Sequence, residues 1–277
     1  MSDFDIGRTF ERFVGWLGEN FAILFDGIKL SIEKLIELVG IVLGFFPPIL
    51  FIIVVGLLAL WISGRNLTFF VIIGLFLINY MGLWEDMIIT LAMVLSSTFV
   101  AVLIGIPVGV WSARNNLVEG IVKPILDLMQ TMPAYVYLIP AVLFFNLGMV
   151  PGAIATIIFS IPPSVRLTNL GIRQVDKEVV EASEAFGATK NQLLFKVQLP
   201  LALPTILAGL NQTIMLALSM VVISAMIGAR GLGLQVYNGI TQLRIGQGFE
   251  SGLAIVILAI VLDRLTQSLA RRDLQSV

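Results

Sequence analysis

The sequence predicts an all-α integral membrane protein with about seven transmembrane helices, an amphipathic N-terminal helix and one long loop on the cytoplasmic side. Of the 277 residues, 58% are hydrophobic and 13% are charged. An average soluble domain carries about 25% charged residues. The charged residues of this chain lie in clusters between long apolar runs. Because no water-soluble core could bury so much apolar surface, we interpret these runs as membrane spans.

The composition also excludes several kinds of chemistry. The chain contains no cysteine and no histidine, so it offers no disulfide, no thiolate nucleophile and no imidazole base or ligand. Its net charge of -1 provides no basic surface for nucleic acid. We therefore expect no catalytic residue, no metal site and no nucleic-acid partner, whereas the lipid bilayer is an expected partner. The first residues lack the basic start and the cleavage site of a secretory signal, so we expect the N-terminus to be retained.

Residues 1–44 are predicted to form an N-terminal amphipathic or interfacial segment. Apolar side chains recur there at helical spacing, with charged side chains between them. They are Phe10, Phe13, Leu17, Phe21 and Leu24. The pattern is typical of a helix that lies in the membrane interface. An amphipathic helix packed on a neighbouring subunit would show the same pattern, and both alternatives stay open.

The predicted spans follow from the length of the apolar runs, since a helix needs about 20 mostly apolar residues to cross the hydrocarbon layer. The uncharged run at 134–165 is too long for one helix and is divided at NLGMVPG, whose Gly and Pro residues turn a chain. The runs are residues 45–63, 67–83, 87–113, 134–165 as two spans, 205–228 and 251–270. Residues 45–86 are expected to be two peripheral helices, 87–270 the main transmembrane domain, and 271–277 a cytoplasmic tail.

Orientation is predicted from the basic residues. Cytoplasmic flanks are richer in Lys and Arg, counted over short loops. If the loop between the fifth and sixth spans is inside the cell, most of the 17 Lys and Arg residues lie on the same side. We therefore expect a multi-pass protein of the cell membrane, with the N-terminus outside and the C-terminus inside.

The loop between the fifth and sixth spans, at 171–204, carries the most informative motif. It contains EASEAFGATKNQLLFKVQLPLALP. Small residues at Ala182, Ser183 and Ala185 leave one side of a short helix shallow enough to enter a groove on another protein. Glu181 and Glu184 offer carboxylates to the rim of that groove. A surface helical hairpin without a partner is the alternative.

The second half of the motif predicts a turn. Gly187 tolerates the positive φ of a helix end, so the chain can turn there before a second helix runs toward Leu199 and Pro200. The spacing resembles the EAA loop of binding-protein-dependent ABC importers, whose pattern is Glu-Ala-Ala, three residues, Gly, nine residues, Ile, one residue, Leu-Pro. Ser183 replaces the second Ala of that pattern and Val197 replaces the Ile.

This resemblance implies a permease subunit that performs no catalysis itself. In the family, the loop is the coupling helix that seats in the nucleotide-binding subunit. The chain has no G-x-x-x-x-G-K-[ST] motif, so ATP and Mg are expected on a separate ABC ATPase, present in two copies. A second permease copy and an extracellular substrate-binding protein or domain are the other expected partners. The implied coupling residues are Glu181, Ala182, Ser183, Glu184, Ala185, Gly187, Leu199 and Pro200.

Further segments resemble one subgroup of that family. Residues 126–148, 161–175, 211–233 and 262–267 are similar to permeases of the glycine betaine/proline uptake group. The implied substrate is a compatible solute such as glycine betaine, proline betaine, carnitine or choline, and the sequence does not choose among them.

Polar residues within the spans suggest a translocation path. Such residues usually face the interior of a helix bundle or a water-filled cavity. The path candidates on the sixth span are Asn211, Gln212, Met215, Ser219 and Met226, and those of a second wall are Gln130, Thr131, Tyr135 and Tyr137. Helix packing is the alternative role for the same residues. Asp263 and Arg264, near the end of the last span, could form a buried pair, but their place near the inside boundary favours a solvated helix end.

The competing function is a secondary transporter or channel that works on ion gradients without an ATPase. Buried Asp, Glu or Lys residues in mid-span would indicate it, and the first six predicted spans contain none. A membrane scaffold or sensor subunit is a third alternative, which would need neither a coupling loop nor a polar path.

Overall fold

The computed structural model describes residues 6–275 of the chain, with the side chains of Arg12 and of residues 14–269. All regular secondary structure in this range is helical, which confirms the predicted all-α class. The helices are α1 Ile6–Asn20, α2 Ala22–Gly44, α3 Pro48–Ser63, α4 Arg65–Tyr80, α5 Trp84–Arg114, α6 Asn116–Thr131, α7 Leu138–Phe145, α8 Met149–Arg173, α9 Lys177–Ala185, α10 Lys190–Leu193, α11 Leu199–Ile223, α12 Leu232–Thr241 and α13 Ile245–Gln275.

Between four and six membrane spans follow from the length and apolar character of the described helices. Four segments are long enough alone, namely α5, α8, α13 and the continuous stretch Lys190–Ile227 that contains α11. Two bent pairs qualify only together: α2 with α3, bent by 93°, and α6 with α7, bent by 109°. The count of seven stays a prediction, because it requires both pairs and the 16-residue α4 to cross the membrane.

The centre of the bundle is formed by α5, α8 and α11, which pack closely through small residues. A Cβ atom added to Gly105 would lie 2.6 Å from the Cβ of Ser164, and one added to Gly109 would lie 2.6 Å from the Cβ of Thr168. Such G-x-x-x-G faces allow two membrane helices to approach at backbone distance. The contact fixes α8 against α5 along the stretch that leads to the functional loop.

The loop after α8 is shorter than its predicted bounds of 171–204. The helix continues through Pro162 and Pro163 to Arg173, because the turns after the prolines are buried against α5 and α11. At the other side of the loop, a π-helical turn at Leu194–Gln198 runs directly into α11, which begins at Leu199 and has Pro200, a residue without a backbone N–H donor, in its first turn. The connection between α8 and α11 therefore spans residues 174–198. The end of the bundle that carries it is called the loop end, and the opposite end the far end.

The N-terminal region contains two helices where one amphipathic segment was predicted. Trp16 on α1 is exposed, as an interfacial or subunit-facing helix requires, whereas the side chains of Phe10 and Phe13 lie outside the described residues. In α2, Ile32 and Ile36 are buried in the core cluster of the bundle. The separate helix α2 was not predicted, because its charged residues interrupt the apolar run.

The predicted break within residues 134–165 is confirmed. Helix α7 ends at Phe145 and α8 begins at Met149, and the φ angle of Gly148 between them is +134°.

At the far end of the bundle, α12 is a short helix that was not predicted from the sequence. The backbone N–H of Leu232 donates to the Thr90 hydroxyl of α5 at 2.8 Å, which holds the first turn of α12 against the bundle.

Candidate functional site

The first half of the loop is a free helix. No side chain of α9 is buried. Glu181, Ala182, Glu184 and Ala185 are exposed, and Ser183 is half-buried with its hydroxyl donating to the Val179 carbonyl at 2.7 Å. Because the side chains at three of these positions are small, the backbone of α9 is accessible from outside. The five predicted residues therefore form one open surface.

The two carboxylates on this surface form no ion pair with a described basic side chain. Among the described side chains, those of Arg12 and of residues 14–269, no Lys or Arg lies within ion-pair distance of Glu181 or Glu184. Both are exposed, so each retains its full set of acceptor positions. A partner that supplies basic or N–H groups at the rim of a groove could bind them without breaking any existing contact.

The predicted turn at Gly187 is confirmed, with a φ angle of +82°. The N–H of Ala188 donates to the Ser183 carbonyl at 3.1 Å, and the N–H of Gly187 donates to the Glu184 carbonyl at 2.9 Å. These two bonds are the Schellman motif, which ends a helix by placing one residue in the left-handed region. The turn directs the chain from α9 into α10 over the four residues 186–189.

Phe186, which the sequence analysis missed, is the most prominent apolar group of the loop. It lies immediately before the turn, and 94% of its surface is exposed. An aromatic ring held in water at a helix end exposes apolar area that a partner could cover. Its place directly before a predicted left-handed glycine was the signal that could have identified it.

The second half of the loop is anchored to the bundle. Thr189 and Gln192 form a capping box at the start of α10, with bonds of 3.3 and 2.9 Å. Leu194 is buried in one cluster with Ile172 of α8 and Ala202 of α11. The loop thus combines a free helix, a fixed turn and a base packed on the bundle. Leu199 and Pro200, the last two predicted coupling residues, lie at this base and start α11.

Four of the five path residues predicted on the sixth span lie on α11, and Met226 lies in the helical turn Ser224–Ile227 that follows it. Gln212, Ser219 and Met226 are exposed, and Met215 is half-buried among them. The Ser219 hydroxyl donates to the Met215 carbonyl at 3.0 Å. These side chains share one side of the helix, and in the single chain that side is not covered by another helix.

Asn211 lies at the edge of this side and faces α13. Its Nδ2 donates to Oδ1 of Asp263 at 2.8 Å, and its Oδ1 accepts from the hydroxyl of Thr266 at 2.6 Å. Gln267 donates to the same oxygen of Asp263 at 2.6 Å. These contacts are interhelical packing, the alternative role named for Asn211. The interpretation of Asp263 as a solvated end was wrong, because this half-buried carboxylate is held by two donors, while Arg264 is exposed.

The second predicted wall follows α6. Gln130 and Thr131 are exposed at the end of that helix, and Tyr135 is exposed in the single helical turn at Ala134–Tyr137. Tyr137 itself is buried, and its hydroxyl donates to a backbone carbonyl of α6. Its ring belongs to one buried cluster with Met220 of α11. Of the second wall, Tyr137 therefore packs on α11 next to Ser219 of the first wall.

Several known proteins are similar to this chain over most of its length. Residues 105–272 match the family model of the binding-protein-dependent transport system inner membrane component. The glycine betaine transport system permease protein OpuAB of Bacillus subtilis is 54% identical over 94% of this chain and 92% of its own length. The glycine betaine/carnitine transport permease protein GbuB of Listeria monocytogenes is 51% identical over 91% of each chain. The glycine betaine/proline betaine transport system permease protein ProW of Escherichia coli is 47% identical over 93% of this chain and 73% of its own.

The fold is also found in solved structures. An inward-facing form of the MetNI methionine ABC transporter aligns with a TM-score of 0.63 over 70% of this chain and 95% of that one, at 23% identity. This likeness shows a shared fold, whereas the relatives above align along almost the entire sequence. The family identified from the loop motif is thus confirmed, and the chain belongs to the binding-protein-dependent transport system inner membrane components.

Proposed function

We propose that this chain is the permease subunit of an ATP-driven importer for compatible solutes, with glycine betaine as the first candidate and proline betaine, carnitine and choline as the others. The observation that carries the proposal is the loop between α8 and α11, where a free helix with a fixed turn stands on an anchored base. The names of the relatives supply the substrate class, since OpuAB, GbuB and ProW are permease proteins for glycine betaine, alone or with carnitine or proline betaine.

In this proposal, α9 is the part of the chain that the ATPase moves. Its small residues let the helix enter a groove, its two carboxylates bind the rim, and Phe186 packs into an apolar recess. The ATPase is a separate chain in two copies, which binds ATP and Mg. Because the second half of the loop is packed on α8 and α11, displacement of α9 is passed to the bundle. The loop and the C-terminus lie in the cytoplasm, and the N-terminus lies outside.

The path for the solute runs between two copies of the chain. Gln212 and Ser219 are exposed on a helix long and apolar enough to span a membrane. Amide and hydroxyl groups are costly against lipid and usually face a bundle interior or water. We therefore assign this side of α11 to the interface with a second copy, where Met215, Ser219 and Met226 form a mildly polar wall. Tyr135, Gln130 and Thr131 complete it from α6.

Selection of the solute is assigned to the external substrate-binding protein or domain. Quaternary ammonium groups are held over aromatic faces in desolvated sites. A passage must instead release the zwitterion quickly, and a wall of amide, hydroxyl and thioether groups suits that task. The permease alone is therefore expected to bind the solute weakly.

The test is reconstitution of the chain with its ATPase and substrate-binding protein in vesicles, followed by uptake of radiolabelled glycine betaine. Uptake should require ATP on the ATPase side and should stop when the substrate-binding protein is omitted. Methionine and phosphate are the non-substrate controls. Uptake without ATP, driven by an ion gradient, would support the secondary transporter instead. Failure of betaines, carnitine and choline together, with entry of an unrelated solute, would refute the substrate class.

A further inference from the structure

Arg173, the last residue of α8, makes polar contacts with two neighbouring helices. Its Nη2 donates to the Ser112 carbonyl near the end of α5 at 3.0 Å and to Oδ1 of Asn116 in the first turn of α6 at 2.8 Å. The same nitrogen lies 2.9 Å from Oε2 of Glu119 on α6. Its Nε donates to Asn169 on its own helix at 2.9 Å. One guanidinium therefore joins the loop end of α8 to α5 and to α6.

Glu119 is held by a second donor of α8. Its Oε1 accepts from Nδ2 of Asn169 at 3.0 Å, so both carboxylate oxygens are engaged. The side chains of Arg173 and Glu119 are 34% and 31% exposed. Pairs that are partly buried and joined into a network are less screened than solvated surface pairs. Arg173, Asn169 and Glu119 thus form a hydrogen-bonded network that connects α8 with α5 and α6, and this network is called the joint.

The position of this joint relates it to the loop. Helix α9 begins at Lys177, only four residues after Arg173, so the free helix is attached to the bundle next to the guanidinium. The chain connects the loop covalently to α8 and α11 but not to α6. At the other end of α6 lie Gln130 and Thr131, which belong to the proposed path wall. A displacement of the loop reaches that wall only if α6 follows α8.

We propose that Arg173 is a positioning residue that makes the loop end of α6 follow the coupling loop, a role that rests on the permease function proposed above. When α9 is displaced, the guanidinium transmits the displacement to the Ser112 carbonyl and to the Glu119 carboxylate. Without these bonds, α6 keeps its Arg166–Asp127 ion pair with α8 farther along the helix, but its loop end follows α8 less closely, so ATP is hydrolysed with incomplete opening of the path.

Arginine suits this joint better than lysine. The guanidinium is planar and presents five N–H donors in a fixed fork, whereas an ammonium is a point charge on a flexible stem. A lysine at this position keeps the charge and can still pair with Glu119. It cannot hold Asn169, Ser112 and Asn116 at the same time. The Arg173→Lys variant therefore separates charge from geometry.

A distance measurement tests the joint whichever solute is imported. The chain lacks cysteine, so single spin labels can be placed at Glu178→Cys on α9 and Ile121→Cys on the exposed side of α6. Labelled chains are diluted with unlabelled chains, so that each assembly carries one labelled pair. In otherwise native chains, the distance between the labels should be the same with and without bound ATP. In Arg173→Gln it should differ between the two states, and in Arg173→Lys and Glu119→Gln it should differ by a smaller amount.

The functional measurement is the amount of solute imported per ATP hydrolysed. We expect Arg173→Gln to lower this ratio by at least about ten-fold, the factor of one lost hydrogen bond to a charged group. Arg173→Lys and Glu119→Gln should give intermediate ratios. Lys123→Gln is the matched control, because Lys123 lies one turn after Glu119 on the same helix and lines the same cavity between α6 and α8. Its ratio and its label distance should equal those of the native chain.

Two results would overturn the proposal. One is a label distance in Arg173→Gln that is unchanged by ATP. The other is a proportional loss of import and hydrolysis with a lowered melting temperature, which would make Arg173 merely structural. If Arg173→Gln does not reach the membrane, Arg173→Lys and Glu119→Gln decide by the same two criteria. A native chain that imports none of the tested solutes refutes the proposed function, while the label distances still decide the role of Arg173.

Discussion

Replacement of Gly187 tests whether the shape of the loop depends on one backbone conformation. The φ angle of this residue is +82°, and a Cβ atom built there would meet nothing within 4 Å. An added side chain therefore clashes with no neighbour, and its whole effect comes from the left-handed backbone. That conformation costs an L-residue other than Gly, Asn or Asp about 1–2 kcal/mol. The turn between α9 and α10 should be weakened by that amount.

The conformational cost at position 187 can be converted into a change in the dissociation constant of the ATPase. If only the turned form docks, the apparent dissociation constant rises as the fraction of turned loops falls. A cost of 1–2 kcal/mol corresponds to a factor of about 5 to 30. Gly187→Ala should therefore weaken ATPase binding by up to about 5- to 30-fold and lower ATP-dependent uptake at limiting ATPase. Gly187→Asn should be affected less, although Asn is larger, because Asn tolerates the left-handed region.

The assay is titration of the reconstituted chain with purified ATPase, read as bound ATPase and as initial uptake at equal amounts of permease. The order of affinity should be Gly, then Asn, then Ala. If Asn binds more weakly than Ala, bulk at the docking surface decides the effect and the conformational reasoning is refuted. Equal binding by all three would remove the turn from the coupling mechanism.

Three other predictions concern the loop tip, the α11–α13 contact and the orientation. Phe186→Ala should weaken ATPase binding by roughly ten- to a hundred-fold, the value of a buried phenyl ring, with no change in melting temperature; equal affinity would show that the ring stays in water. Asn211→Asp places a second carboxylate beside Asp263 and should lower the melting temperature, whereas the double variant with Asp263→Asn should recover it because a donor again faces an acceptor. No recovery would contradict the contact. Single cysteines at Ser183 and Gln242 should react with membrane-impermeant reagents from opposite sides of intact cells, and labelling from one side would contradict the topology.

The elements that could be predicted from the sequence depend on local chemistry. An uncharged run of sufficient length predicted α5, and the Gly and Pro residues of 146–152 predicted the break between α7 and α8. The turn at Gly187 was predictable because a helix that ends on a glycine needs no information from distant residues. The exposed surface of α9 followed from the same local pattern of small and acidic residues.

The remaining features depend on residues far apart in the chain. The fifth span was expected to end near Val165, where the uncharged run ends, yet burial against α5 and α11 carries α8 onward to Arg173. The direction of Asn211 was not predictable, because its partner Asp263 is 52 residues away and no spacing rule connects them. Helix α2 was not predicted, because charged residues interrupt the apolar residues whose side packs on the bundle.

Two arginine contacts, one at each end of the loop, explain why a displacement of the loop would move the central helices of the bundle together. At one end, Arg173 donates to the Ser112 carbonyl of α5 at 3.0 Å. At the other, Arg114 of α5 donates to Oδ1 of Asn191 in α10 at 3.2 Å. The covalent chain alone would pass a displacement only to α8 and α11. Because both ends of the loop are also bonded to the same turn of α5, the three central helices are constrained to move together at the loop end.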